Sequence, residues 1–134
     1  ISEELQAAGF EVILNEGGKS RHKKGKTADY AKNCDAVLMF ADVAGYAMEN
    51  NYRIRWNNGS PAETPWYICE VPTVFISLNY TTHLFDVPMM KTFINAYGNT
   101  RSIIRQVIAK IMGESEFKGR ANELVWCDKW DTRI

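Results

Sequence analysis

"DAVLMFA", residues 35–41, and "PTVFISL", residues 72–78, decide the fold. From Ala36 to Ala41 and from Thr73 to Leu78 apolar side chains follow one another with almost no polar alternation. A strand of that kind is apolar on both faces and needs cover on both, which is the signature of a parallel sheet between helices. A third run, Phe10–Leu14, reads the same way. "INAY", residues 94–97, is a short fourth strand candidate.

Helical signals lie between these strands. Ser2 is a cap candidate, Glu3 and Glu4 follow in the first turn, and Gly9 stops the helix Ser2–Ala8. Thr27 caps a helix running through Asn33, and Pro88 suits the first turn of another, Met89 to Phe93. After Thr100, the residues Ile103, Ile104, Val107, Ile108, Ile111 and Met112 mark one apolar face, and Gly113 ends that helix. The expected fold class is α/β: an open, doubly wound, mostly parallel sheet with helices on both faces, a flavodoxin-like sandwich. In such sheets a strand normally precedes the first helix and lies at the sheet centre. The quoted sequence opens on the helix, so the neighbouring strands are expected to close together, or a second chain to fill the position as a homodimer or exchanged segment.

"GFEVILNEGGKS", residues 9–20, runs from a strand into Gly-Lys-Ser and invites a phosphate-loop reading. The spacing rejects it. G-x-x-x-x-G-K-[S/T] needs a glycine at position 13, where Ile13 stands, and "RHKKGK" after Ser20 opens no helix. No cofactor is expected.

A length of 134 residues fits one α/β domain, 1–134, with room for a core. Sixteen Lys and Arg balance sixteen Asp and Glu, so no global field selects nucleic acid. The basic cluster Lys19 to Lys26 lacks interleaved aromatics for base stacking and reads as a solvated loop. No apolar run is long enough to span a membrane. Cys34, Cys69 and Cys127 form no C-x-x-C pair, which fits reduced thiols and a cytoplasmic setting better than a disulfide framework. The triplets Asn58-Gly59-Ser60 and Asn79-Tyr80-Thr81 match a glycosylation pattern that arises often by chance. No metal-binding pattern stands out.

Ligands of open α/β sheets meet the loops at the carboxyl ends of the strands, here 15–26, 42–66 and 79–87. Loop 42–66 is long and rich in Tyr, Trp, Asn and Arg, whose aromatic faces and planar groups suit sugars or another chain; a packed surface loop is the plainer reading. The residues picked out as substrate- or partner-facing are Tyr46, Glu49, Tyr52, Arg53, Trp56, Glu63, Asn79 and His83. His83 alone reads as a hydrogen-bonded loop residue more readily than as a base. Glu49, Glu63 and Asp86 are carboxylates on ligand-facing loops, but sequence spacing brings no two of them together as glycoside hydrolysis requires. No G-x-S-x-G, H-E-x-x-H or Cys-His signature occurs, so no catalytic residue is assigned.

Residues 71–119, "VPTVFISLNYTTHLFDVPMMKTFINAYGNTRSIIRQVIAKIMGESEFKG", resemble the C-terminal α/β sandwich domain of glycoside hydrolase family 3. The likeness rests on a P-x-V-x-x-S-L strand, an x-x-A-Y strand, and a helix leading into a turn from Gly113 to Gly119. "NCDAVLMFADVAGYAMENNYRIRW" (33–56) and "ELVWCDKWDTRI" (123–134) resemble a bacterial beta-N-acetylhexosaminidase-like branch. The resemblance implies an N-terminal (β/α)8 barrel as partner, carrying an aspartate nucleophile, with carbohydrate bound at the interface. In beta-glucosidase members of the family the sandwich supplies an acid/base glutamate; in beta-N-acetylglucosaminidase members a barrel loop supplies it. Two functions follow as expectations: the non-catalytic C-terminal domain of a two-domain hydrolase, or a stand-alone flavodoxin-like binding or interaction module.

Overall fold

The structure, a computed structural model, describes residues 1–14, 27–43, 53–54 and 65–120. Its regular elements are α1 (Ser2–Ala7), α2 (Thr27–Asn33), β1 (Val37–Ala41), β2 (Thr73–Ser77), β3 (Thr92–Asn95) and α3 (Arg101–Ile111), with 3-10 turns at Trp66–Cys69 and Thr81–Phe85. The strands form one parallel sheet in the order β1-β2-β3, with Met39 opposite Phe75 and Phe75 opposite Phe93. The expected α/β class is borne out.

Strand β2 lies at the centre and is buried almost throughout, while β1 is half-buried along its length. Alternate side chains feed two cores. On one face Leu38, Phe40, Val74, Ile76 and Ile94 meet Leu5 of α1 and Ile104, Val107 and Ile108 of α3. On the other, Met39, Phe75 and Phe93 meet Ile68, Val87 and Met90 from the crossover segments. The Phe75 and Phe93 rings stack at 5.2 Å. Helix α2 packs on the turn Trp66–Cys69 through the stacked rings of Tyr30 and Tyr67, 4.3 Å apart. Burial, with Tyr30 beside it, pushes the Tyr67 hydroxyl up to about 12.

The glycine stops and the cap at Thr100 follow the sequence signals, whereas Ser2 lies inside α1, which Ile1 precedes without a side-chain cap bond. Glycines 9 and 113 both take left-handed backbone, φ 93° and 77°. Each closes a pair of bonds of the Schellman kind: Gly9 N to Gln6 O with Phe10 N to Leu5 O, and Gly113 N to Lys110 O with Glu114 N to Ala109 O. The Thr100 hydroxyl caps α3 by accepting from Ile103 N at 3.4 Å.

Two expectations are corrected. Residues 10–14 carry no strand pairing among the described residues. Phe10 and Val12 pack on the α1/α3 core, but Ile13 and Leu14 are exposed. An apolar run becomes a strand only where a ladder partner lies alongside, and none does among the described residues. Met89–Phe93 is no helix. Residues 86–90 turn tightly, with Met90 N bonded to Val87 O, and Thr92–Asn95 joins β2 as β3, two residues earlier than "INAY". The ladder along β2 and the Phe75–Phe93 stack outweigh the short helical signal after Pro88.

Candidate functional site at the strand ends

The carboxyl ends of the three strands are held level by Leu78 N bonding to Ala41 O and Ala96 N to Ser77 O. The first residue past β1 is therefore placed beside the loops that leave β2 and β3. It is Asp42, and Asn79 and Asn99 converge on it. Asn79 donates its side-chain amide to Asp42 Oδ1, and Asn99 Nδ2 donates to Oδ2 at 3.1 Å. Asp42 and Asn99 are exposed and Asn79 is half-buried, so this clasp lies at the surface. Two residues before Asn99, ahead of Gly98, Tyr97 takes φ 59° and leaves its ring largely in solvent. A bulky residue in left-handed backbone is uncommon and marks a position set by something other than local preference.

Beneath the clasp, Ser77 and His83 form a buried pair. Ser77 Oγ donates to Tyr80 O and so accepts from His83 Nδ1, 2.7 Å away, which places a proton on that nitrogen. The His83 ring is fully buried and stands edge-on to Tyr80. Its side chain faces the interior rather than the ligand side. Beside Ser77 in register, Asn95 carries a buried Oδ1 with no hydrogen-bond partner among the described residues.

A second polar contact ties down the far part of loop 42–66. Arg53 Nε donates to Asp86 Oδ1, and Ile54 N donates to Oδ2 at 3.0 Å. The Asp86 carboxylate is nearly buried while Arg53 remains half in water. Ile54 then packs into the core beside Phe75. Asp86 thus fastens residues 53–54 to the crossover after β2.

Of the residues picked out from sequence, Asn79 stands in the clasp, Arg53 in the loop anchor and His83 in the interior. Tyr46, Glu49, Tyr52, Trp56 and Glu63 lie outside the described residues. Sequence reading missed Asp42, Tyr97 and Asn99 as site candidates. Counting the loop after the fourth strand candidate as a ligand loop would have found the last two, and Asp42 was the first residue of loop 42–66. A groove elsewhere, between α3 and residues 115–119, is shaped by Lys110 Nζ reaching Glu116 O and lying 5.5 Å over the Phe117 ring. It is open to solvent and lined by Gln106, Lys110, Ser115, Glu116 and Lys118, away from the strand ends.

These strand ends belong to a shape found in larger proteins. A beta-N-acetylglucosaminidase/beta-glucosidase of Cellulomonas fimi is 34% identical over 131 residues, which are 97% of this chain and 23% of that protein. This match is consistent with a C-terminal domain of glycoside hydrolase family 3. A solved beta-glucoside phosphorylase, BglX, superimposes with a TM-score of 0.72 at 32% identity, over 87% of this chain and 20% of that one. Its complex with 2FGlc gives a TM-score of 0.73 over the same shares. No protein-family profile matches the chain. The chain thus spans under a quarter of the length of the relatives it matches.

Proposed function

We propose that this chain, 1–134, is one α/β domain: the non-catalytic C-terminal domain of a family 3 glycoside hydrolase. Its strand-end loops brace an N-terminal (β/α)8 barrel or wall the sugar cleft between the two. The observation that carries this reading is the match of nearly the whole chain to a small part of two larger proteins named for work on beta-glucosides or N-acetylglucosaminides.

The local chemistry supports it. Retaining glycoside cleavage needs two carboxyl groups about 5 Å apart and aimed at one anomeric carbon. Asp42 is clasped by two asparagines and Asp86 is committed to Arg53 and a backbone amide. Groups so engaged serve better to shape a surface than to exchange protons. Asparagine amides beside an exposed tyrosine ring are suited to sugar hydroxyls and to the apolar face of a pyranose.

The test uses the full-length enzyme. Replacing Asn79 and Asn99 together by Ala is expected to raise KM for aryl beta-glucosides or N-acetylglucosaminides about fivefold, the worth of one lost net hydrogen bond, with kcat little changed. Unchanged KM together with unchanged stability removes these loops from the functional face. Turnover by the isolated chain that vanishes in Asp42→Asn or Asp86→Asn overturns the non-catalytic reading.

A further inference from the structure

Tyr97 stands where glycine would be the easier residue. Its φ of 59° is left-handed backbone, which brings a Cβ too near the following carbonyl oxygen. Glycine takes that conformation freely. A glycine does follow, at position 98, but its φ is not positive. Gly98 answers a different need. A Cβ there would meet Ile103 Cδ1 at 2.4 Å, so glycine lets the chain pass close to the first turn of α3. The turn thus asks for backbone freedom at one residue and for space at the next, and glycine supplies only the space.

The neighbours fix this turn from both ends. Ala96 N bonds to Ser77 O and holds the chain beside β2. Asn99 is bonded to Asp42, and Thr100 caps α3 through Ile103 N. Helix α3 packs on the Ile76 face of the sheet, so the chain must leave the ladder for that face within residues 97–99. Tyr97 makes the left-handed step.

Folding gains little from its side chain. The ring is 63% exposed and joins neither core among the described residues. Strain kept at a residue whose side chain adds no packing points to a use for that side chain. The surroundings say which use. Asp42, Asn79 and Asn99 lie at the same strand ends. A carboxylate has about four acceptor sites, so Asp42 keeps lone pairs for hydroxyl donors after accepting from the two amides. A flat apolar ring beside such acceptors matches a pyranose, which presents C–H bonds on its faces and hydroxyls around its rim.

We propose that Tyr97 is a stacking platform for a pyranose ring, held out at the strand ends by a strained backbone. The domain then walls the sugar cleft and does more than brace a barrel. The proposal rests on the sugar-cleft reading and adds to it one named contact.

The experiment pairs steady-state kinetics with urea unfolding of the full-length enzyme. Tyr97→Gly removes the ring and relieves the backbone, which offsets the added freedom of glycine in the unfolded chain. Its KM for aryl beta-glucosides or N-acetylglucosaminides is expected to rise about three- to tenfold, while the urea midpoint holds or rises. Tyr97→Phe keeps the ring and is expected to restore KM to within about twofold of the native value. A lowered midpoint in Tyr97→Gly shows the ring packed against the rest of the protein and overturns the platform. Loss of affinity in Tyr97→Phe equal to that in Tyr97→Gly assigns the effect to the hydroxyl and overturns it as well. If Tyr97→Gly leaves KM unchanged while the Asn79 and Asn99 double variant raises it, the cleft reading stands and the platform falls. If neither moves KM, the cleft reading fails and takes the platform with it.

Discussion

At the residue scale, Ser77 and His83 show how a polar pair is used inside this fold. Ser77 has one proton and directs it to Tyr80 O, so His83 must supply the proton of their shared bond. The pair pins the turn Thr81–Phe85 against the end of β2, beneath the clasp of Asp42, Asn79 and Asn99. His83→Phe keeps the volume and removes the donor. A buried hydroxyl that loses a partner costs about 1–3 kcal/mol, and that loss is expected in urea unfolding of the full-length protein. An unchanged midpoint would show the bond to be dispensable. Gly9 acts at the same scale. Its positive φ sends Phe10 back over Leu5, and from there Phe10 and Val12 pack on the core.

At the element scale, α1 and α3 are joined by more than apolar contact. Leu5 enters the shared core, and its neighbour Glu4 accepts from both Arg101 and Arg105. The bond from Arg105, then that from Arg101, holds the Glu4 carboxyl below its ordinary range. A carboxylate whose folded pKa is depressed adds stability above its unfolded value and loses it as pH falls through the folded one. The full-length protein is therefore expected to be more stable than Glu4→Gln near pH 7. The two curves should converge as pH drops from about 5 toward 3. Parallel curves across that window would mean that Glu4 contributes no linkage. Both arginines are largely in water, so salt should narrow the gap at neutral pH.

At the scale of the whole molecule, β2 joins the two cores. Ile76 is fully buried on the α1/α3 side, and its neighbour Phe75 fills the other side. Ile76→Ala is expected to cost about 2–5 kcal/mol, read as a lowered urea midpoint. The loss should be global, because the sheet cannot open on one face alone. A small change confined to local exchange near β3 would show that the two faces are not one cooperative unit. The strand ends of this same sheet carry the clasp and the loop anchor, so damage at Ile76 is also expected to disturb Asn79 and Asp42. That is why the KM test above relies on surface asparagines rather than core residues.

By itself the sequence determined the α/β class, the helix stops at Gly9 and Gly113, the cap at Thr100 and the apolar face of α3. Each of these is local: one residue's backbone freedom, one hydroxyl, one period of 3.6. It also carried the family likeness, through "PTVFISL" and the helix that follows Thr100. What only the tertiary structure decided was pairing. "FEVIL" and "VLMFA" are both rich in apolar residues, yet among the described residues only the second lies against β2 and becomes a strand. Pro88 and the residues after it could open a helix or a turn, and the ladder along β2 selected the turn and β3. The site shows the same division. Arg53 and Asn79 stood out by residue type and loop position. Asp42 meeting Asn99 spans 57 residues of chain, a contact that no local pattern encodes, because it exists only once two parallel strands end at one level.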